Sequence, residues 1–210
     1  GHARAIDLVY GLVTGGFPLT EKTLFDLHKA VLTEQVMGVY KPVGAWKVEP
    51  NSTVIVSGND QIIFEYASPK DVPKLMHHWF GFFKNACQET GVSRDEALAA
   101  YVRLHVSFVR IHPFCDGNGR IARLIANIPV IHAGFPPIII PKERRLEYIE
   151  ALSGYHLAAG TITAQSDLLP EVDMLDRFKR FCKESWSETI LLVENAITKQ
   201  QERNQREFSE

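Results

Sequence analysis

The chain has 210 residues, 45% of them hydrophobic, which suits one domain with a substantial core. A formal net charge of -2 and a pI near 6.5 argue against a nucleic-acid partner held mainly through phosphates. Cys87, Cys115 and Cys182 are odd in number, far apart and without Cys-x-x-Cys spacing, so they indicate neither a disulfide framework nor a zinc site. They suit a reducing cytoplasm, the expected location. Neither a signal peptide nor an apolar run of membrane length is visible in these residues, so no membrane partner is expected. Gly1-His2 looks like a cleavage scar, with the expectation that the natural chain begins earlier.

Residues 5 to 40 read as helical on either side of a Gly15-Gly16-Phe17-Pro18 turn. Thr20 is a candidate N-cap for a helix whose Leu24, Leu27, His28, Val31 and Leu32 recur at helical spacing, which makes His28 a core histidine before a ligand. From Lys41 to Pro69 the pattern changes to two β-runs, Val54-Ile55-Val56 and Ile62-Ile63-Phe64, joined by Ser57-Gly58-Asn59-Asp60. Ser68 or Asp71 should start a helix through Leu75, Met76, Trp79, Phe82 and Phe83 to a stop at Gly91. His77 and His78 are adjacent, hence on different faces, and cannot share a metal from one helix. Ser93 and Glu96 form a capping-box pattern opening a helix from Ala97 to Ile111 that is apolar nearly all round, hence central. Beyond it come an apolar helix from Ile121 to His132 that Pro129 should kink or end, and an extended stretch from Phe135 to Pro141. A helix from Glu143 to Ala159, a loop from 160 to 169, and a terminal helix or helix pair from Leu175 to about Gln200 follow. The polar tail after it should fray. The fold class is mainly α with one β-hairpin, and residues 5–200 form a single domain.

His112-Pro113-Phe114-Cys115-Asp116-Gly117-Asn118-Gly119-Arg120-Ile121-Ala122-Arg123 is the stretch no core requires. The proline should push His112 out of the α region and end the helix at an imidazole able to act as a general base. Asp116 is one carboxylate, which is what Mg²⁺ commonly takes when substrate phosphates and water complete its shell. Gly117-Asn118-Gly119 can turn successive N–H groups toward one anion at a helix N-terminus. Arg120 stands in the first turn, where the macrodipole disfavours a cation unless an anion lies between, and Arg123 shares its face. A polar loop with a cap would explain any one of these residues, but not the whole set. Cys115 is read as packing. No Gly-x4-Gly-Lys-Ser/Thr occurs, which excludes a Walker-type site, and Asp116 is followed eleven residues later by Asn127, not the glutamate of an EF-hand.

These twelve residues resemble the signature of the Fic family: histidine, any residue, phenylalanine, any residue, an acid, Gly-Asn-Gly-Arg, two residues and arginine. The resemblance implies a Fic-type helical bundle with a β-hairpin flap before the catalytic loop, and transfer of AMP from ATP with Mg²⁺ to a Ser, Thr or Tyr hydroxyl of a target protein. It makes His112 the general base, Phe114 the anchor of the loop, Asp116 the Mg²⁺ ligand, Gly117, Asn118 and Gly119 the anion hole, and Arg120 and Arg123 the grips on the outer phosphates. Branches that move other groups depart at Gly119, so its presence favours AMP transfer. The flap residues Ile62, Ile63 and Phe64 would dock the target by strand addition. Tyr148 is a candidate contact for the nucleobase, with a half-buried helix aromatic as the equal alternative.

Two other readings stay open: removal of AMP by the same site, and a non-catalytic interaction module using the hairpin edge. Family members are often silenced by a helix carrying Ser/Thr-x-x-x-Glu-Gly/Asn, and neither Ile190 to Asn195 nor Thr198 to Arg203 matches it in full. The partners expected are therefore a protein substrate, an inhibitory partner chain or an N-terminal inhibitory helix cut away from these residues, and a second copy in a homodimer.

Overall fold

A computed structural model describes residues 2–15, 19–32 and 41–207. Part of the expected Gly15-Gly16-Phe17-Pro18 turn, residues 33–40 of the first helical reading, and the end of the tail lie outside the described residues. The described elements are α1 (His2–Val13), α2 (Glu21–Val31), the strands β1 (Ser52–Ser57) and β2 (Asp60–Glu65), then α3 (Val72–Gln88) and α4 (Arg94–Ile111). After these come α5 (Asn118–His132), a 3₁₀ turn at Lys142–Arg144, α6 (Arg145–Ala159) and α7 (Asp173–Glu207).

Helix α4 is the axis of the bundle because every side chain from Leu104 to Ile111 is buried. Leu98, Tyr101, Leu104, Val106, Phe108 and Ile111 are all buried, and α3, α5 and α7 pack around it. Each such aliphatic or aromatic side chain contributes about 1.5–3 kcal/mol by leaving water. Its start is set by Ser93, whose hydroxyl accepts the Glu96 N–H while the Glu96 carboxylate accepts the Ser93 N–H at 2.7 Å. Trp79 of α3 lies wholly buried against it and donates its indole N–H to the Leu104 carbonyl at 3.0 Å. Near its far end, Arg110 is 2% exposed and donates to the carbonyls of Ala159, Gly160, Asp167 and Leu168, tying down both ends of the loop after α6.

The capping predictions at Thr20 and Ser93 correspond to α2 and α4, and α3 starts after Asp71 with Pro73 in its first turn. Two expectations narrow to one of their alternatives and a third changes. Pro129 does not end its helix, which runs on to His132. The proline has no N–H to give the carbonyl four residues back, but its tail is still closed by Ala133 N–H to the Pro129 carbonyl at 2.9 Å. Residues 173–207 form one helix, not a pair, and the polar segment from Gln201 to Glu207 continues it instead of fraying. Glutamine, glutamate and arginine are good helix formers, so an exposed polar turn extends an existing helix at little cost.

The hairpin is a two-stranded antiparallel sheet with Val54 opposite Ile63 and Thr53 opposite Phe64. Period-2 alternation splits its apolar residues between two faces. Ile55 and Phe64 are buried against the bundle, while Val54, Val56 and Ile63 stand in solvent.

Candidate active site

The loop between α4 and α5 holds the signature residues, and its shape comes from the side chains that face inward. Phe114 is wholly buried, stacked on His28 with ring centroids 3.9 Å apart and flanked by Trp46 and Phe25. His28 is the satisfied core histidine its position predicted. Its Nδ1 accepts the Gly44 N–H at 2.9 Å, so its Nε2–H donates to the Asp116 carbonyl at 3.1 Å. Asn118 clamps the loop from inside: its Oδ1 accepts the Phe114 N–H and its amide donates to the Phe114 carbonyl. The Asn118 side chain is thereby engaged, and only its backbone N–H points to the anion site. Asn51 donates to the same carbonyl at 2.9 Å and accepts from the buried Lys47 ammonium at 2.6 Å.

His112 caps α4 in the left-handed region, φ 54° and ψ 58°, and is the one described non-glycine residue with positive φ. The extended conformation expected of a residue before proline is not adopted. The αL cap lets the His112 N–H close the helix on the Phe108 carbonyl at 2.9 Å, at a cost of about 1–3 kcal/mol of backbone strain. Its Nδ1 lies 3.0 Å from the Val109 carbonyl, which can only accept, so Nδ1 carries the proton and Nε2 keeps its lone pair. Burial, followed by the nearby Lys47 charge, pushes its pKa down to about 4 against the pull of the Val109 carbonyl and Asp116, and the ring is neutral at pH 7.

Gly117 follows with φ 77°, which favours glycine at the turn into α5, and a Cβ there would also press on the Leu32 side chain at 3.3 Å. The first-turn N–H groups of Asn118, Gly119 and Arg120 have no intrahelical partners by construction. They open on a cavity of about 560 Å³ lined by His112, Asp116, Arg120, Arg123, Lys142, Arg145 and Tyr148, among others. Four cations in its lining, from α5 and from the start of α6, together with a helix N-terminus suit it to a polyanion. The Asp116 carboxylate accepts the Gly117 N–H at 2.6 Å and lies 3.5 Å from Arg120. No group of three potential metal-ligating side chains occurs among the described residues, so any metal here would draw most of its ligands from its anion.

Tyr148 is 7% exposed, and its hydroxyl is 3.1 Å from His105 Nε2 while accepting from Arg123 at 3.3 Å. The Arg123 guanidinium also lies over its ring at 5.5 Å. The geometry thus makes Tyr148 a holder of Arg123 in addition to lining the cavity. The hairpin residues divide: Ile62 and Ile63 are exposed, but Phe64 is 5% exposed and stacked on His156, so it anchors the hairpin and offers nothing to a docking partner. A one-residue shift of face explains the error, since Ile63 and Phe64 point to opposite sides. Sequence reasoning missed Lys47, Tyr66, Lys142 and Arg145. Only the last two left a signal, as cations just before and in the first turn of a helix where no structural role favours them.

A mainly helical bundle that sets an anion-binding helix N-terminus opposite a neutral histidine defines a class of phosphate-handling domains. The sequence model of the Fic/DOC family matches residues 18–129, and the chain belongs to that family. It is similar to protein adenylyltransferase Fic of Drosophila melanogaster, 30% identical over 182 residues that cover 87% of this chain and 32% of the relative. It spans about a third of the length of such curated relatives. Its fold matches the crystal structure of a Fic domain containing signaling protein from Bacteroides thetaiotaomicron, with TM-score 0.74 and 26% identity over 91% of this chain and 68% of that one. It also matches IbpAFic2 in complex with adenylylated Cdc42, with TM-score 0.53 and 17% identity over 89% of this chain and 54% of that one.

Proposed function

We propose that the chain is a protein adenylyltransferase domain that moves AMP from Mg-ATP to a Ser, Thr or Tyr hydroxyl of a target protein. The observation that carries this is the pairing of His112, with Nε2 free for a proton, with the N–H groups and arginines that line the same cavity. In the step, Nε2 takes the hydroxyl proton, the oxygen bonds to the α-phosphorus, and the bond to the β-phosphate breaks to release pyrophosphate. The backbone N–H groups of Asn118 and Gly119 hold the charge that builds on the phosphate oxygens. Arg120 and Arg123 hold the outer phosphates, with Arg123 set by Tyr148. Asp116 would hold Mg²⁺, which supplies charge neutralisation on the polyphosphate. The names of the Drosophila relatives and the adenylylated Cdc42 bound to IbpAFic2 support a protein substrate.

The test is incubation of the chain and candidate proteins with ATP labelled on the α-phosphate. The reading expects label and a mass gain of one AMP on a hydroxyl-bearing residue. Binding of a target without binding of Mg-ATP would overturn it in favour of an interaction module, and loss of AMP from a premodified protein would reverse the direction of transfer.

Asp116→Ala should weaken Mg-ATP binding about ten- to a hundredfold, the equivalent of the ~1.5–3 kcal/mol of a charged contact. Titration with and without Mg²⁺ checks this, and an unchanged metal dependence would contradict the role. Ile63→Pro, on the exposed face of β2, removes a strand donor and should lower modification of a protein target while sparing ATP binding. Equal loss of both would make the hairpin a purely structural element.

A further inference from the structure

Tyr66 stands one residue beyond β2, and its ring lies flat on the His112 imidazole, with centroids 3.7 Å apart and planes 16° apart. It is tied to both strands of the hairpin. Its N–H donates to the carbonyl of Asn51, the residue before β1, at 3.2 Å, and its hydroxyl lies beside the Thr53 side chain of β1. Phe64, two residues earlier, stacks on His156 at 5.1 Å and meets the Tyr66 ring edge-on at 5.5 Å. His156 in turn meets Tyr66 edge-on at 5.7 Å. The hairpin therefore reaches the bundle through an aromatic group whose outermost member is the proposed base.

A hydrogen bond to Val109 fixes one edge of the imidazole but leaves its plane free to tilt about that edge. A flat ring pressed on one face removes the tilt. Together the two contacts leave Nε2 a single direction, which general-base catalysis needs because proton transfer requires heavy-atom distances near those of a hydrogen bond. The bland alternative is that Tyr66 only fills space under the hairpin. The backbone tie to Asn51 and the near-parallel stack on a titratable ring are more than filling requires.

We infer that Tyr66 is a positioning residue through which the hairpin sets the pose of the His112 ring, so that a target strand laid along the hairpin also seats the base. This rests on the adenylyl-transfer reading and adds to it the means by which target docking reaches the chemistry. The charged and titratable groups facing His112 are Lys47 before β1, Asp116 in the loop, His156 on α6 and Tyr66 itself. Lys47 and burial hold the ring neutral, and opening the Tyr66 face to water weakens the second of these.

The experiment compares the parent chain with Tyr66→Leu, Tyr66→Phe and Thr53→Val by NMR of carbon-labelled histidine rings, titration of Mg-ATP, and pH profiles of AMP transfer. In the Leu variant the His112 ring resonances should lose their stacking shift, and the acid limb of the profile should move to higher pH by about a unit. Turnover should fall about tenfold or more with Mg-ATP affinity unchanged, the pattern of a group that acts on the nucleophile side only. The Phe variant keeps the stack but removes the same hydroxyl contact that Thr53→Val removes, so these two should shift alike and by less than the Leu variant. Thr53→Val should move the same signals as the Leu variant by a smaller amount, and it decides the matter should the Leu variant not fold. Unmoved His112 resonances in the Leu variant, or in Thr53→Val if the Leu variant does not fold, would overturn the inference, as would a loss confined to nucleotide affinity. A parent that transfers no AMP would sink the adenylyl-transfer reading alone, because the ring resonances are read without any turnover.

Discussion

His112→Ala should depress AMP transfer roughly a hundred- to ten-thousandfold, the range removed with a general base. Mg-ATP affinity should hold within about a factor of two, because the imidazole acts on the incoming hydroxyl and not on the phosphates. The structure adds two reasons to expect a clean separation. The anion-facing N–H groups belong to α5, whose entry is fixed by Asn118 clamping Phe114 and by Gly117 against Leu32, none of which depends on the imidazole. Alanine is also no better suited to the left-handed cap than histidine, so the backbone there gains nothing that would reorganise the loop. Single-turnover transfer and equilibrium titration of ATP on the same preparation check the pair of outcomes. Transfer at the parent rate would remove His112 from the mechanism, and a matching loss of affinity would make it a loop residue.

The second large effect is acid lability. His28, His105 and His156 are each 2% exposed or less, and burial holds their pKa values at about 4, 3 and 3, below the 6.5 of an unhindered imidazole. The unfolded chain then binds protons that the folded chain refuses. Stability from these groups is full above 6.5 and declines as the pH falls toward the folded values. Near pH 5 each ring accounts for about 2 kcal/mol, or about 6 kcal/mol together, against total stabilities of ~5–15 kcal/mol for domains of this kind. Urea midpoints measured from pH 7.5 downward should fall steeply below about 6.5, with an uptake of up to four histidine protons on unfolding once His112 is counted with these three. A flat profile to about pH 4.5 would show that the buried rings are already protonated or that they leave the interior without unfolding.

The parts of this fold that were legible in the sequence are those whose partners lie within a few residues. Thr20 with Thr23 and Ser93 with Glu96 announce helix starts because both halves of the hydrogen-bonded pair sit inside one turn. The loop from His112 to Arg123 could be read because its chemistry is contiguous: glycines at a turn, a carboxylate and two cations at one helix start. What escaped was set by distance and direction. Tyr66 and His112 are 46 residues apart and ordinary in their own surroundings, so nothing local marks their stack. Lys47 reads as a surface lysine, yet its ammonium is buried on Asn51 because its own N–H binds the Pro113 carbonyl and draws the segment inward. Phe64 was assigned to the docking face because alternation fixes which residues share a face but not which face is covered. Pro129 shows the limit of a local rule: a missing N–H weakens a helix, but Ile125, Ala126 and Ile128 are buried, and that packing holds the turn together.

Arg110 touches its loop only through carbonyl oxygens, at Ala159, Gly160, Asp167 and Leu168. Every amino acid carries that group, so at the level of these contacts the arm after α6 is held without regard to its spelling. The exposed Asp167 can vary without losing its carbonyl contact, while Gly160 at φ 69° and the buried Leu168 have further reasons to stay, and no other residue supplies a rigid fork of donors from the position of Arg110. One end of α4 thus concentrates the cost of substitution at Arg110, while the exposed positions of the arm are left open to diversify and the helix that carries His112 stays in place.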